Sequence, residues 1–161
     1  MAFAPFRLLP RGALDLLYEV ARHLLRRPVV GIAAGVRVED GRWVMIRRAD
    51  TGTWALPGGT LEWGETLERA LARELDEEAG IVDAKMKRVV GVFSAPRRDL
   101  RFHAVTVVVE CEASPPSRPP KNPLEIREVR LFAAADVPRP LAMGMDDVFD
   151  AVVAGGAPIL E

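Results

Sequence analysis

Cysteine is almost missing: Cys111 is the single thiol of the chain. One thiol closes no internal disulfide and builds no zinc site without several partners. It reads as a small strand residue, and a reducing cytoplasm is the default expectation. An excess of charge is missing too, with 22 Lys and Arg against 23 Asp and Glu. The chain as a whole presents no field to draw in DNA or an anionic membrane, so bulk nucleic acid is not an expected partner. Any anionic ligand has to be held locally. No stretch approaches the roughly 20 apolar residues that cross a bilayer. Residues 1–10 are apolar with one arginine and imitate the start of a signal peptide, but Asp15, Glu19, Arg22 and His23 interrupt the next stretch.

What is present is the composition of an ordinary soluble globular protein. Its 161 residues are 49% apolar and 28% charged, enough for one domain with one sizeable core. Residues 12–27 read as a helix, with Leu14, Leu17, Tyr18, Ala21, Leu24 and Leu25 on one face. Arg22, Arg26 and Arg27 suit its C-terminal end and Pro28 stops it. It reads as an addition that packs on the core, covers a second copy in a homodimer, or rests on a membrane surface. Residues 29–38 and 43–47 read as strands joined through Asp40-Gly41, a hairpin signal. Residues 54–61 form a short apolar segment broken at Pro57-Gly58-Gly59. Residues 66–79 are strongly helical and Gly80 caps them. Strands are expected at 89–93, 104–110 and 128–132, and a last helix at 145–154. Five prolines in 114–123 mark an exposed loop. This order predicts a mixed sheet with helices packed on it.

The chemistry concentrates in residues 59–81. Glu74, Glu77 and Glu78 stand at i, i+3 and i+4 of a helix, which puts three carboxylates on one side. Like charges so placed repel and weaken an isolated helix. A solvated acidic face accounts for them, and so does a divalent cation, since Mg²⁺ and Mn²⁺ favour carboxylate oxygen. The neighbours favour the cation. Pro57-Gly58-Gly59 forms a loop where backbone can approach a metal or phosphate closely. Arg73, eight residues after Glu65, can tie that loop to the helix by a bidentate contact.

This stretch resembles the Nudix box. Gly59, Glu65, Arg73, Glu74, Leu75, Glu77, Glu78, Gly80 and Ile81 fill its nine specified places, and the lead-in from Trp54 to Gly59 is similar as well. The resemblance extends more loosely across about residues 29–137 and implies an α/β Nudix fold, an α/β/α sandwich around a mixed sheet, in a domain taken as residues 29–161. Residues 1–28 are left as an N-terminal helical extension. It implies hydrolysis of a pyrophosphate bond by water, assisted by Mg²⁺ or Mn²⁺. Box position makes Glu78 and Glu74 the foremost metal ligands, with Glu77 a further one and the Gly58 carbonyl another. Gly59, Glu65, Arg73 and Gly80 fall to structural support. The general base is a box glutamate or one elsewhere, with Glu110, Glu125 and Glu128 as the outside candidates.

Substrate choice lies outside the box. Arg97, Arg98 and Arg101 crowd one loop and can pair with phosphate or carboxylate, though a solubilising surface loop looks the same in sequence. Arg47 and Arg48 end a strand and could also reach phosphate. Phe93 and Phe102 are candidates to stack on a base, and His103 reads as a structural hydrogen-bonder. Trp54 and Trp63 flank the glycine loop; Trp54 is expected to pack under it. Pro96, 15 residues past the box, and the Arg-Asp-x-Arg-x-His run resemble the Nudix branch acting on ADP-ribose and nucleotide sugars. The expected substrate is thus a nucleoside diphosphate linked to another group. Nucleoside triphosphates, dinucleoside polyphosphates and a non-catalytic nucleotide-binding module stand as alternatives.

Overall fold

The computed structural model describes residues 11–25 and 27–161. The apolar stretch 1–10 and Arg26 lie outside them. Helix α1 spans Arg11–Leu25, followed by strands β1 (Val29–Val38), β2 (Trp43–Arg48), β3 (Trp54–Ala55) and β4 (Gly58–Thr60). Then come helix α2 (Leu67–Ala79), strands β5 (Lys85–Phe93), β6 (Ala104–Ala113) and β7 (Ile126–Phe132), helix α3 (Asp146–Ala154) and strand β8 (Ile159–Leu160).

The sheet runs β3-β2-β1-β6-β5-β8, with β4 paired to β1 and β7 to β2. It is mixed. β1 and β6 are parallel from Val29↔Ala104 to Val38↔Ala113, while β1 meets β2 and β4 antiparallel. β1 is buried on both faces, which is why its sequence is apolar without alternation. The pleat sends its side chains to two cores. Ile32, Ala34 and Val36 join Val44, Ile46, Leu71 and Leu75 beneath α2. Ala33 joins Trp43, Met45, Val108, Phe149 and Val152 beneath α3. The result is the α/β/α sandwich. Gly35 lets α3 approach, since a Cβ there would stand 2.4 Å from Val152 Cγ1. Cys111 is buried in β6.

Two expectations need adjusting. Strands β5 and β6 are longer than the apolar runs suggest, because Lys85, Lys87 and Glu112 sit on the pleat with their charges exposed and Lys87 pairs with Glu112 across the strands. β8 has no counterpart among the expected strands; it is two residues long and paired parallel to β5. On α1, Leu16, Leu17, Tyr18 and Val20 are exposed. Among the described residues no helix is long and apolar enough to cross a membrane.

Candidate active site

Helix α2 is fixed at both ends by its sequence. The Thr66 side chain accepts the Arg69 N–H at 3.3 Å as an N-cap, and Gly80 closes the helix with φ 64°. Gly80 also admits the proline-rich loop, since a Cβ there would stand 2.1 Å from the Arg118 carbonyl oxygen. The buried face of α2 holds Ala70, Leu71, Leu75, Ala79 and one carboxylate, Glu78.

The three glutamates are unequal. Glu78 is 6% exposed, and one of its oxygens accepts the Gly58 N–H at 2.8 Å. Burial pushes its carboxyl up to about 8, with Glu74 and Glu125 adding repulsion; the Gly58 N–H and, more weakly, Arg48 oppose it. Glu74, one turn earlier, is also raised by burial, although it accepts an Arg73 N–H at 2.8 Å. Glu77 lies towards the rim, with its side chain 44% exposed and 3.6 Å from Arg73. Arg73 ties the preceding loop down. Its Nε and Nη2 each donate to Glu65 at 3.0 Å, and Nη2 reaches the Thr60 carbonyl at 3.1 Å.

A further carboxylate, Glu125, arrives from the other side of the chain. Its proline-rich loop is exposed in part, yet anchored to the end of α2. Ser117 donates to the Gly80 carbonyl, the Lys121 N–H to the Glu77 carbonyl at 2.8 Å, and Arg118 and Lys121 pair with Asp76. Past that loop the Glu125 carbonyl accepts the Ala49 N–H at 2.7 Å. A cavity of about 200 Å³ is lined by Gly58, Gly59, Glu74, Glu78 and Glu125 together with Arg48, Asp99, Arg101 and Phe102. Asp99, buried, accepts Nε and Nη2 of Arg101 at 2.9 and 2.7 Å and so orients that guanidinium. Arg48 is held by Asp50. The cavity therefore gathers carboxylates and two guanidinium groups in one lining, each arginine with a carboxylate partner of its own.

A family model, the NUDIX domain, matches residues 25–152. The chain belongs to the Nudix family. An ADP-ribose pyrophosphatase of Methanocaldococcus jannaschii is 40% identical over 88 residues, 53% of this chain and 51% of that protein. A MutT-like protein of Streptomyces ambofaciens is 45% identical over 85 residues, 53% of this chain and 52% of that protein. The chain spans about half the length of these curated relatives. Among solved structures, a MutT NUDIX hydrolase from Burkholderia pseudomallei is 31% identical with a TM-score of 0.68, over 79% of this chain and 99% of that one. The NUDIX domain of Shewanella oneidensis NrtR, complexed with ADP ribose, shares the fold at 21% identity and a TM-score of 0.72, over 88% of this chain and 96% of that one.

The Nudix box thus forms β4, the loop after it and α2. Of the arginine-loop residues, Arg101 and Phe102 border the cavity. Arg97 is exposed, and Arg98 turns away into ion pairs with Asp147 and Glu161. Arg47 donates to the Gly52 carbonyl at 3.0 Å and does not line the cavity, whereas its neighbour Arg48 does. Glu110 pairs with Arg88 at 2.6 Å and Glu128 pairs with Arg130, both away from Glu78. Phe93 is buried in the core under Arg98. His103 bonds the Ser94 carbonyl at 2.8 Å. Trp54 packs edge-on against Phe132, and Trp63 is fully exposed.

Nudix proteins generally use divalent metal ions. Among the described residues no group of three or more Asp, Glu, His or Cys side chains is placed to hold a metal ion by itself. The donor set nevertheless fits a hard cation that keeps its waters. Such ions take one or two carboxylates and leave the remaining places to water and substrate phosphate. Glu78 and Glu74 supply oxygen in a pocket where burial makes an uncompensated carboxylate costly. Without a cation, Glu78 holds its proton up to about pH 8 in the folded chain, against 4.5 for a free glutamate. Between those values the folded state binds more protons than the unfolded one, so stability falls as pH rises through the window. Melting in EDTA should show this fall, and Glu78→Gln should remove most of it. A Tm that climbs through the same window in the wild type contradicts a buried, protonated Glu78.

Proposed function

We propose that the chain is a Mg²⁺-dependent hydrolase of a nucleoside diphosphate linked to another group, with ADP-ribose or a nucleotide sugar as substrate. The observation that carries this reading is one cavity lined by both the box carboxylates Glu74 and Glu78 and the cations Arg48 and Arg101. A phosphoanhydride linkage is anionic along its length. It needs cationic donors for its phosphates and oxygen donors for a metal, and the cavity lining offers both. Glu78 and Glu74 would hold the cation, with Glu77 and Glu125 at the margin. When bound, that ion neutralises phosphoryl charge and makes a water acidic enough to attack phosphorus. The residues of the chain do the rest. Arg101 and Arg48 hold the diphosphate, Phe102 offers a face to a ring, and Gly58 and Gly59 let the backbone come close. The ADP-ribose pyrophosphatase activity named for the Methanocaldococcus jannaschii relative agrees with this choice of substrate.

The test is a hydrolysis panel with Mg²⁺ or Mn²⁺ covering ADP-ribose, nucleotide sugars, nucleoside triphosphates and dinucleoside polyphosphates. Two monophosphate products from the first two classes support the reading; pyrophosphate release from triphosphates alone would replace it. Within the panel, Arg101→Ala should raise KM about tenfold with a smaller change in kcat. Arg97→Ala should leave both within about twofold, because that side chain is exposed and outside the cavity. Equal effects at the two positions would remove Arg101 from the substrate contact.

A further inference from the structure

Beyond α3 the chain returns to the arginine loop, and Glu161 is where it attaches. The Glu161 carboxylate accepts four hydrogen bonds: from the Ser94 and Ala95 N–H groups at 2.8 Å each, and from Arg98 Nε and Nη2 at 2.9 and 2.8 Å. Its backbone adds two more. The N–H donates to the Val92 carbonyl at 3.0 Å, and the carbonyl accepts the Ser94 hydroxyl at 2.9 Å. The approach is built in, since β8 runs against β5 with Ile159 opposite Gly91, where a Cβ would stand 2.4 Å from the Ile159 carbonyl oxygen. Arg98 carries the connection onward. It donates to the Gly144 carbonyl at 2.7 Å and, through two N–H groups, to Asp147 at 2.8 Å each.

These contacts pin segments that border the cavity. The loop they pin holds Arg101 and Phe102, and the turn on the far side of Arg98 holds Met143 and Met145; all four border the cavity. Arg101 Nη2 itself reaches Met143 Sδ at 3.5 Å. Met143 has φ 54°, a left-handed conformation that a side chain adopts only where its surroundings hold it. The loop between the two anchors is open, with Pro96, Arg97 and Leu100 exposed. An exposed loop keeps an arginine in one place only if its ends are fixed against conformational entropy.

We propose that Glu161 and Arg98 are positioning residues that set the affinity of the site for its phosphate-bearing substrate by holding Arg101 in place. The proposal rests on the phosphoanhydride reading above. Neither residue borders the cavity that contains Glu74 and Glu78, so their effect passes through the segments they pin, on which Arg101 is the charged residue bordering it. The Glu161 carboxylate stays charged throughout the neutral range, because the Arg98 guanidinium and the backbone N–H groups lower it to about 2.

The experiment is Glu161→Gln, which keeps the shape but turns an NH₂ towards groups that are all donors. KM for ADP-ribose with Mg²⁺ should rise about five- to tenfold while kcat stays within about twofold. In an Arg101→Ala background the same change should have no further effect on KM. Trypsin should cut between Arg97 and Phe102 faster than in the wild type. Arg98→Lys, which keeps the charge and loses the fork, should give the same split, and it replaces Glu161→Gln if that variant melts too low to assay. An unchanged KM, or an equal rise with and without Arg101, overturns the proposal. If the wild type hydrolyses nothing in the panel, the functional reading has failed. The anchor is then decided by trypsin alone: faster cutting upholds it and an unchanged rate rejects it.

Discussion

Glu78→Gln is expected to lower kcat at least about a thousandfold while leaving the fold as stable as before, or more so. Two consequences of the same carboxylate are separated by this change. Glutamine fits the space, and its amide oxygen can still accept the Gly58 N–H that now meets Glu78 at 2.8 Å. It carries no charge, so the repulsion from Glu74 and Glu125 and the cost of burying an anion both disappear. What it cannot do is bind a hard cation with a negative oxygen. Steady-state rates with saturating Mg²⁺, set beside Tm in EDTA, read the two effects independently. Retained turnover would remove Glu78 from the metal site, and a collapse of Tm would make it a structural residue instead.

The second large effect separates two adjacent glycines. Gly58→Ala should unfold the region. Gly58 has φ 151°, and a Cβ there would stand 2.2 Å from the Ile32 carbonyl oxygen and 2.5 Å from Ala33 Cα, both backbone of β1. Neither atom can step aside without breaking the β1–β4 pairing. A loss of about 3 kcal/mol or more, roughly 10 °C in Tm for a chain of this size, is expected. Gly59→Ala differs. Its Cβ would stand 2.2 Å from Glu74 Oε1, the far end of a flexible side chain. That carboxylate can swing away, so Tm should move by no more than about 2 °C. On the proposal that Glu74 holds the cation, its displacement costs rate, and kcat should fall about a hundredfold. Differential scanning calorimetry and turnover on both variants decide it. The pair of effects appearing the other way round, or both variants unfolding equally, would contradict these roles for the two glycines.

Most of the fold is legible in the sequence where a local rule and the tertiary context agree. The amphipathic pattern, the Thr66 cap and Gly80 place α2 without reference to anything else. The Asp40-Gly41 turn and the β-branched runs place β1 and β2. Strand ends are less legible, because Lys85, Lys87 and Glu112 carry polar side chains onto a sheet held by backbone pairing. β8 offers no pattern in two residues.

Spacing identifies the box residues, and the structure ranks them by depth. Spacing alone makes Glu74, Glu77 and Glu78 equivalent neighbours on a helix. Which of them is buried depends on where the sheet lies, and the sheet meets α2 on the side of Leu71, Leu75 and Glu78. The arginine loop shows the same limit. Arg97, Arg98 and Arg101 are interchangeable in a string of letters, yet of the three only Arg101 borders the cavity with Glu74 and Glu78, its guanidinium oriented by Asp99. Arg98 is drawn off by Asp147 and Glu161, which lie 49 and 63 residues away in sequence. In sequence Glu125 is no more than one of three outside candidates; it stands out only once the proline-rich loop is anchored on Asp76, Glu77 and Gly80.

By itself, then, the sequence placed the helix that bears the carboxylates, which follows from interactions between residues a few positions apart, and its resemblance to the Nudix box implied the family and the sandwich. The tertiary structure alone decided which carboxylate is buried, which arginine shares its cavity and which acid orients that arginine. Those outcomes depend on charges and backbone brought together from distant segments, whose pairing no local spacing encodes.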